Sequence, residues 1–180
     1  MYTELGDMGG VADIVAGDAF AVATESGFGG LGPAFERSAD LYQQAGREIQ
    51  GAQAIYAQAG VALAEDRLED ARDLARSGIE RGVELNDVFL QSWGLEYAAI
   101  IDLEDGNVEI AGMLLGAADA ERERMGAGWG PQTIGSYNAN TILVERLGEE
   151  RAKEMIEPGR LMNLAEAVEL ALVTLVSKSG

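Results

Sequence analysis

Cysteine and histidine are both absent from the 180 residues. Without a thiol there is no disulfide framework, no thiolate nucleophile and no zinc–cysteine site. Without an imidazole there is no Ser-His-Asp triad, no common general base near neutral pH and no usual transition-metal ligand. A bound metal would have to be held by carboxylates and carbonyls, which restricts it to calcium, magnesium or manganese. Catalysis would have to run on carboxylate, lysine or tyrosine chemistry. No apolar run approaches the roughly 20 residues of a membrane span. The opening MYTELGD has neither a basic n-region nor an apolar h-region, so no secretory signal is expected. Basic residues are scarce too: 13 against 31 acidic ones leave a net charge of −18. Such a surface repels phosphate backbones, which disfavours direct nucleic-acid binding. A soluble cytoplasmic protein is the expectation, with no membrane partner.

The residues present point to helices. Apolar side chains make up 47% of the chain, enough for an ordered core. Leu164, Ala167, Val168, Ala171, Leu172 and Leu175 recur at the spacing of one helical face, with Asn163 and Glu166 placed as a capping pair ahead of them. A second stripe runs through Leu68, Ala71, Leu74, Ala75 and Ile79, with Asp66 and Glu69 as its start signal. A third contains Ile49, Ala52, Ile55, Tyr56, Ala59 and Leu63. The most strand-like tract, AFAVAT at 19–24, continues a helical run from Val11 more naturally. The predicted class is all-α.

Self-similarity then organises the helices. A shift of 40 residues lays Ala71 on Ala111, Ala59 on Ala99, Ile55 on Leu95, Leu63 on Leu103, Leu68 on Val108 and Ala75 on Leu115. Small residues recur where two antiparallel helices would approach closely. These small positions resemble the tetratricopeptide repeat, although the family's period is ~34 residues. A less regular first unit carries Ala34, Phe35, Leu41 and Tyr42 on its second helix. The expectation is about three antiparallel helix pairs over residues 1–128, forming a right-handed solenoid, with capping helices of the same domain over 129–180.

The later part of the chain adds a further likeness. AGMLLGAADAERERMGAG, then Pro131, then LVERLGEERAKEMIEPGRLMNLAEAVELAL resembles the end of the helical-repeat region of large bacterial LuxR-type and adenylate-cyclase-like signalling ATPases, common in actinobacteria. The residues that carry it are Leu114–Ala118, Leu147–Glu150, Gly159–Leu161 and Glu166–Leu172, in that order and spacing. The resemblance implies a sensor or interaction arm of a transcriptional regulator. No G-x-x-x-x-G-K-[ST] loop is present, and no basic helix-turn-helix is evident. The resemblance therefore suggests either a piece of a longer regulator or a stand-alone relative, and the start at ELGD favours the piece.

Several local patterns invite chemistry. GFGGLG at 27–32 matches a dinucleotide turn, but no strand precedes it and no βαβ unit follows. It reads as the bend between the helices of the first unit, with Pro33 suited to opening the second. DLEDGNVEI at 102–110 lacks the glycine and acid spacing of a calcium loop, so it reads as a turn with Asn107 as an N-cap. The acid pairs Glu65/Asp66 and Glu149/Glu150 read as helix-start residues. The first helix of each pair lines the concave groove in tetratricopeptide proteins, and by position Gln50, Gln53, Gln91, Trp93, Glu96 and Tyr97 are the candidate contacts. Trp93 and Tyr97 also suit a core contact, and Trp129 suits an anchor for the C-terminal helices.

The expected function is a non-catalytic interaction or sensor module. Its partner would be a protein, another domain of the parent chain or a small effector, with no cofactor, no metal and no catalytic residue. A small-molecule-binding helical domain, or a carboxylate-based enzyme, is the alternative.

Overall fold

The computed structural model describes residues 7–126 and 139–176. Among them are nine helices and no strand: α1 (Met8–Ser26), α2 (Gly32–Gln44), α3 (Glu48–Ala64), α4 (Leu68–Glu84), α5 (Val88–Glu104), α6 (Val108–Arg124), α7 (Ala139–Leu147), α8 (Glu149–Arg160) and α9 (Leu164–Thr174). Glu4–Gly6, Trp129 and Pro131, which the sequence reading used, lie outside the described residues.

One device repeats along the chain and spaces the helices. Gly46, Asp66, Asn86, Gly106 and Gly126 stand 20 residues apart, and all five have positive φ, from 49° to 82°. Each follows a helix end, where a left-handed residue turns the chain and lets the next N–H reach back to an orphan carbonyl. Arg47 donates to the Tyr42 carbonyl at 2.9 Å, Arg67 to Ala62 at 2.8 Å, Asp87 to Gly82 at 2.9 Å and Asn107 to Asp102 at 2.8 Å. Helices α3 to α6 consequently all have 17 residues, and the 40-residue period reflects two such steps.

Asp66 does not start α4. Its backbone is left-handed at the end of α3, and Arg67 takes the N-cap position. Glu65 and Asp66 accordingly close a helix, whereas Glu149 and Glu150 do lie in the first turn of α8. Asn107 holds the N-cap position of α6, but its side chain caps nothing; it donates to Asp102 instead. Other signals are realised directly. Asp7 and Asp87 cap α1 and α5 through Gly10 and Leu90, and Asn163 with Glu166 forms a reciprocal capping box at α9.

Successive helices from α1 to α6 pack on one another, α8 packs on α6, and both α7 and α9 pack against α5. Helices α2 and α4 are amphipathic, while α3 and α5 are apolar around most of their circumference, as helices enclosed on several sides must be. The core runs through Tyr56, Ala59, Leu63, Ala75, Ile79, Leu95, Ile101, Leu103, Leu114 and Leu115. Each fully buried aliphatic of that set contributes about 1.5–3 kcal/mol relative to exposure. α6 and α8 meet backbone to backbone: a Cβ on Gly116 would collide with the Ile156 carbonyl, and one on Gly159 with that of Met113.

Candidate functional site

Of the six candidate contacts, Gln50 and Gln53 lie on α3 and remain partly exposed. The four on α5 are largely enclosed, chiefly by contacts to α3, α4 and α6. Tyr97 is 1% exposed and stacks on Tyr56, with ring centroids 5.3 Å apart and planes 11° apart. Burial pushes its phenol well above the ordinary value, so it stays neutral. Trp93 is half-buried, 5.3 Å from Tyr56 and 5.8 Å from Phe89. Its indole nitrogen is buried with no hydrogen-bond partner among the described residues. Glu96, 4% exposed, is ion-paired with Arg122 of α6, which also pairs with Asp119. Loss of hydration lowers the Arg122 pKa and raises that of Asp119. The aromatic pair thus joins α5 to α3, and the Glu96–Arg122 pair joins α5 to α6.

Gln91 has a different setting. Its amide donates to the Gly82 carbonyl at 3.2 Å, and the side chain lines a cleft of about 510 Å³ between α4 and α9. Arg76 and Val83 form one wall, and Val168, Leu172, Val173 and Val176 the other. A second, more polar hollow of about 420 Å³ lies where α2 ends and α3 begins, with Asp40, Gln43, Arg47, Glu48 and Arg81 at its edge.

A group of polar side chains that periodicity did not single out anchors α9. Arg72 of α4 is fully buried; its guanidinium lies 2.9 Å from Asp105, 3.4 Å from Glu69 and 3.3 Å from the Thr174 carbonyl. The Thr174 hydroxyl donates to Asp102 at 2.8 Å, and the Asn107 amide donates to the same carboxylate at 2.9 Å. Desolvation raises the Asp102 pKa, and these two hydrogen bonds offset part of the shift. One signal did mark Arg72: it falls on the buried face of α4, one residue from Ala71 and three from Ala75. Asp102 and Asp105 thus serve a helix junction, and among the described residues no group of three acids could hold a metal ion.

The GFGGLG stretch bridges α1 and α2. Its Gly30 amide donates to the Glu65 carboxylate at 2.9 Å, which ties this bend to the turn between α3 and α4 and lowers the Glu65 pKa. No protein family, curated protein or solved structure matches the chain. No helix among the described residues is long and apolar enough to cross a membrane.

Proposed function

We propose that the chain is a helical-repeat interaction module, a sensor or docking arm of a bacterial LuxR-type or adenylate-cyclase-like signalling regulator. Its first helices would form a concave groove that remains open over α3, where Gln50 and Gln53 offer hydrogen bonds to a protein or effector. The observation that carries this reading is what the buried charges do. Arg72, Glu96, Asp102 and Arg122 are all engaged in joining one helix to another, and a carboxylate so engaged is not poised as an acid or base. A helical array of this kind offers shape and a charged rim, here strongly acidic, for partner selection.

Peptide display against the immobilised protein tests the reading. Selected peptides should lose about tenfold or more in affinity when Gln53 is changed to lysine, as expected for a central contact. If no peptide is selected and a single metabolite raises the melting temperature, the reading is wrong.

The apolar cleft between α4 and α9 supports a second reading, a small-effector site. Its volume of about 510 Å³ falls within the range of small-molecule pockets. A thermal-shift screen against apolar metabolites, repeated on Val173→Glu, separates this reading from the first. Only a ligand seated in the cleft should lose its effect in that variant.

A further inference from the structure

The 40-residue alignment extends to α1, and there it exposes a difference. Ala12, Ala52 and Ser92 coincide, as do Ala19, Ala59 and Ala99, and Ala23, Leu63 and Leu103; all nine are buried. α1 therefore stands in its pair as α3 and α5 stand in theirs. In α3 the positions covered by the preceding helix are Ala54, Ala57 and Val61, which share hydrophobic clusters with Tyr42 and Phe35 of α2. Their counterparts on α5 are Gly94, Tyr97 and Ile101, and a Cβ on Gly94 would collide with Ile79 of α4. All six are buried.

The corresponding residues of α1 are Ile14, Gly17 and Ala21, and all three are exposed, Ile14 by 48%. A Cβ on Gly17 would meet nothing within 4 Å. Val22, 47% exposed, extends the patch, while the matching Ala62 and Asp102 are fully buried. α1 is apolar over most of its circumference, as α3 and α5 are, a pattern that belongs to an enclosed helix. Yet among the described residues no helix covers this face. Asp18 and Glu25 lie along the same stripe as Ile14 and Ala21, and α1 contains no lysine or arginine.

We propose that this end face of α1 docks an amphipathic helix of another protein, seated as α2 sits on α3 and α4 on α5. Continuity with those two interfaces fixes the shape of the occupant, an apolar stripe of α4's kind, and the missing side chain at Gly17 leaves it room to approach closely there. Asp18 and Glu25 fix its charge, with lysine or arginine flanking the stripe. A second copy of this chain is the poorer occupant, because pairing two α1 faces would bring like charges together across a chain of net charge −18. The inference rests on the interaction-module reading and names a surface distinct from Gln50 and Gln53.

The probe is a synthetic helix of residues 67–84 carrying Glu69→Lys, Asp70→Lys, Asp73→Lys and Glu80→Lys, titrated into the isotope-labelled full chain. Amide shifts should concentrate at Ile14, Gly17, Asp18 and Ala21. Gly17→Gln, which blocks the close approach from open space, and the double change Asp18→Lys with Glu25→Lys should each weaken binding about tenfold or more. Gln53→Lys should leave it unchanged. Binding lost with Gln53→Lys but not with Gly17→Gln would overturn the end-face assignment and leave the module reading standing. No binding, or shifts centred on the α4–α9 cleft, would also overturn it. So would concentration-dependent dimerisation abolished by Gly17→Gln, which would make a second copy the occupant.

Discussion

Arg72 and Thr174 are separated by 102 residues in the chain, and in the fold the guanidinium of one donates to the carbonyl of the other at 3.3 Å. This contact, with Asp105 and Asp102 beside it, holds α9 across α4 and α5. Removing Arg72 would break its ion pair with Asp105, which is only 11% exposed. Arg72→Ala is expected to cost about 3–5 kcal/mol, the range for breaking a buried ion pair from one side. Urea denaturation checks the value, and amide exchange in α9 should rise with it. A loss below about 1 kcal/mol, typical of a surface pair, would contradict the assignment.

Two exposed-sounding glycines should respond oppositely to alanine. At Gly94 the added methyl collides with Ile79 and the Tyr56 hydroxyl, so Gly94→Ala is expected to destabilise by about 1–3 kcal/mol through overpacking. At Gly17 the methyl meets open space inside a helix, so Gly17→Ala is expected to stabilise by about 0.5–1 kcal/mol. Thermal melts of both variants decide the matter; equal responses would refute the packing described.

The raised Asp102 pKa has a defined sign. The folded state holds this proton more tightly than the unfolded chain, so stability falls as pH rises from the ordinary value of 3.8 through the raised one. Asp102→Asn removes that dependence. The stability of the variant relative to wild type should therefore improve as pH rises from the ordinary value of 3.8 through the raised one, whatever constant offset the altered hydrogen bonds introduce. Parallel stability curves over that window would show that Asp102 is not the responsible group.

Asp66 is a non-glycine residue at φ 56°, in a series otherwise filled by glycine and Asn86. Asp66→Gly should relieve the left-handed strain and raise stability by roughly 0.5–1 kcal/mol. The same change at Glu65, whose φ is −105°, gains nothing and loses the bond to Gly30. The pair of melting curves separates backbone strain from side-chain chemistry.

Periodicity made α3 to α6 legible because each helix buries a regular stripe and each turn recurs at a constant step. It misjudged Asp66 because side-chain chemistry marks aspartate as an N-cap, whereas the backbone there needed a left-handed residue and the chain supplied an acid. The α9 capping box was readable because Asn163 and Glu166 carry the whole interaction locally. The surroundings of Glu96 and Tyr97 were not, since Glu96 pairs with Arg122 of α6 and Tyr97 stacks on Tyr56 of α3, and local spacing carries no record of partners on other helices. Arg72 was visible as a charge on a buried face, but its partner Thr174 was not. The bare face of α1 appears only when exposure is compared position by position along the repeat.

The anchoring of α9 also sets an order of events during synthesis. Chains emerge from the ribosome N-terminus first, at about 5–20 residues per second. α4 and α5 are complete well before residue 174 is made, so Arg72 and Asp105 can pair early while the Asp102 carboxylate still lacks its Thr174 donor. Only when Thr174 arrives can α9 close its hydrogen bond onto that carboxylate. The last described helix thus acts as a latch on a framework already assembled, and a ribosome stalled before it would display the array with its acidic flank unsealed.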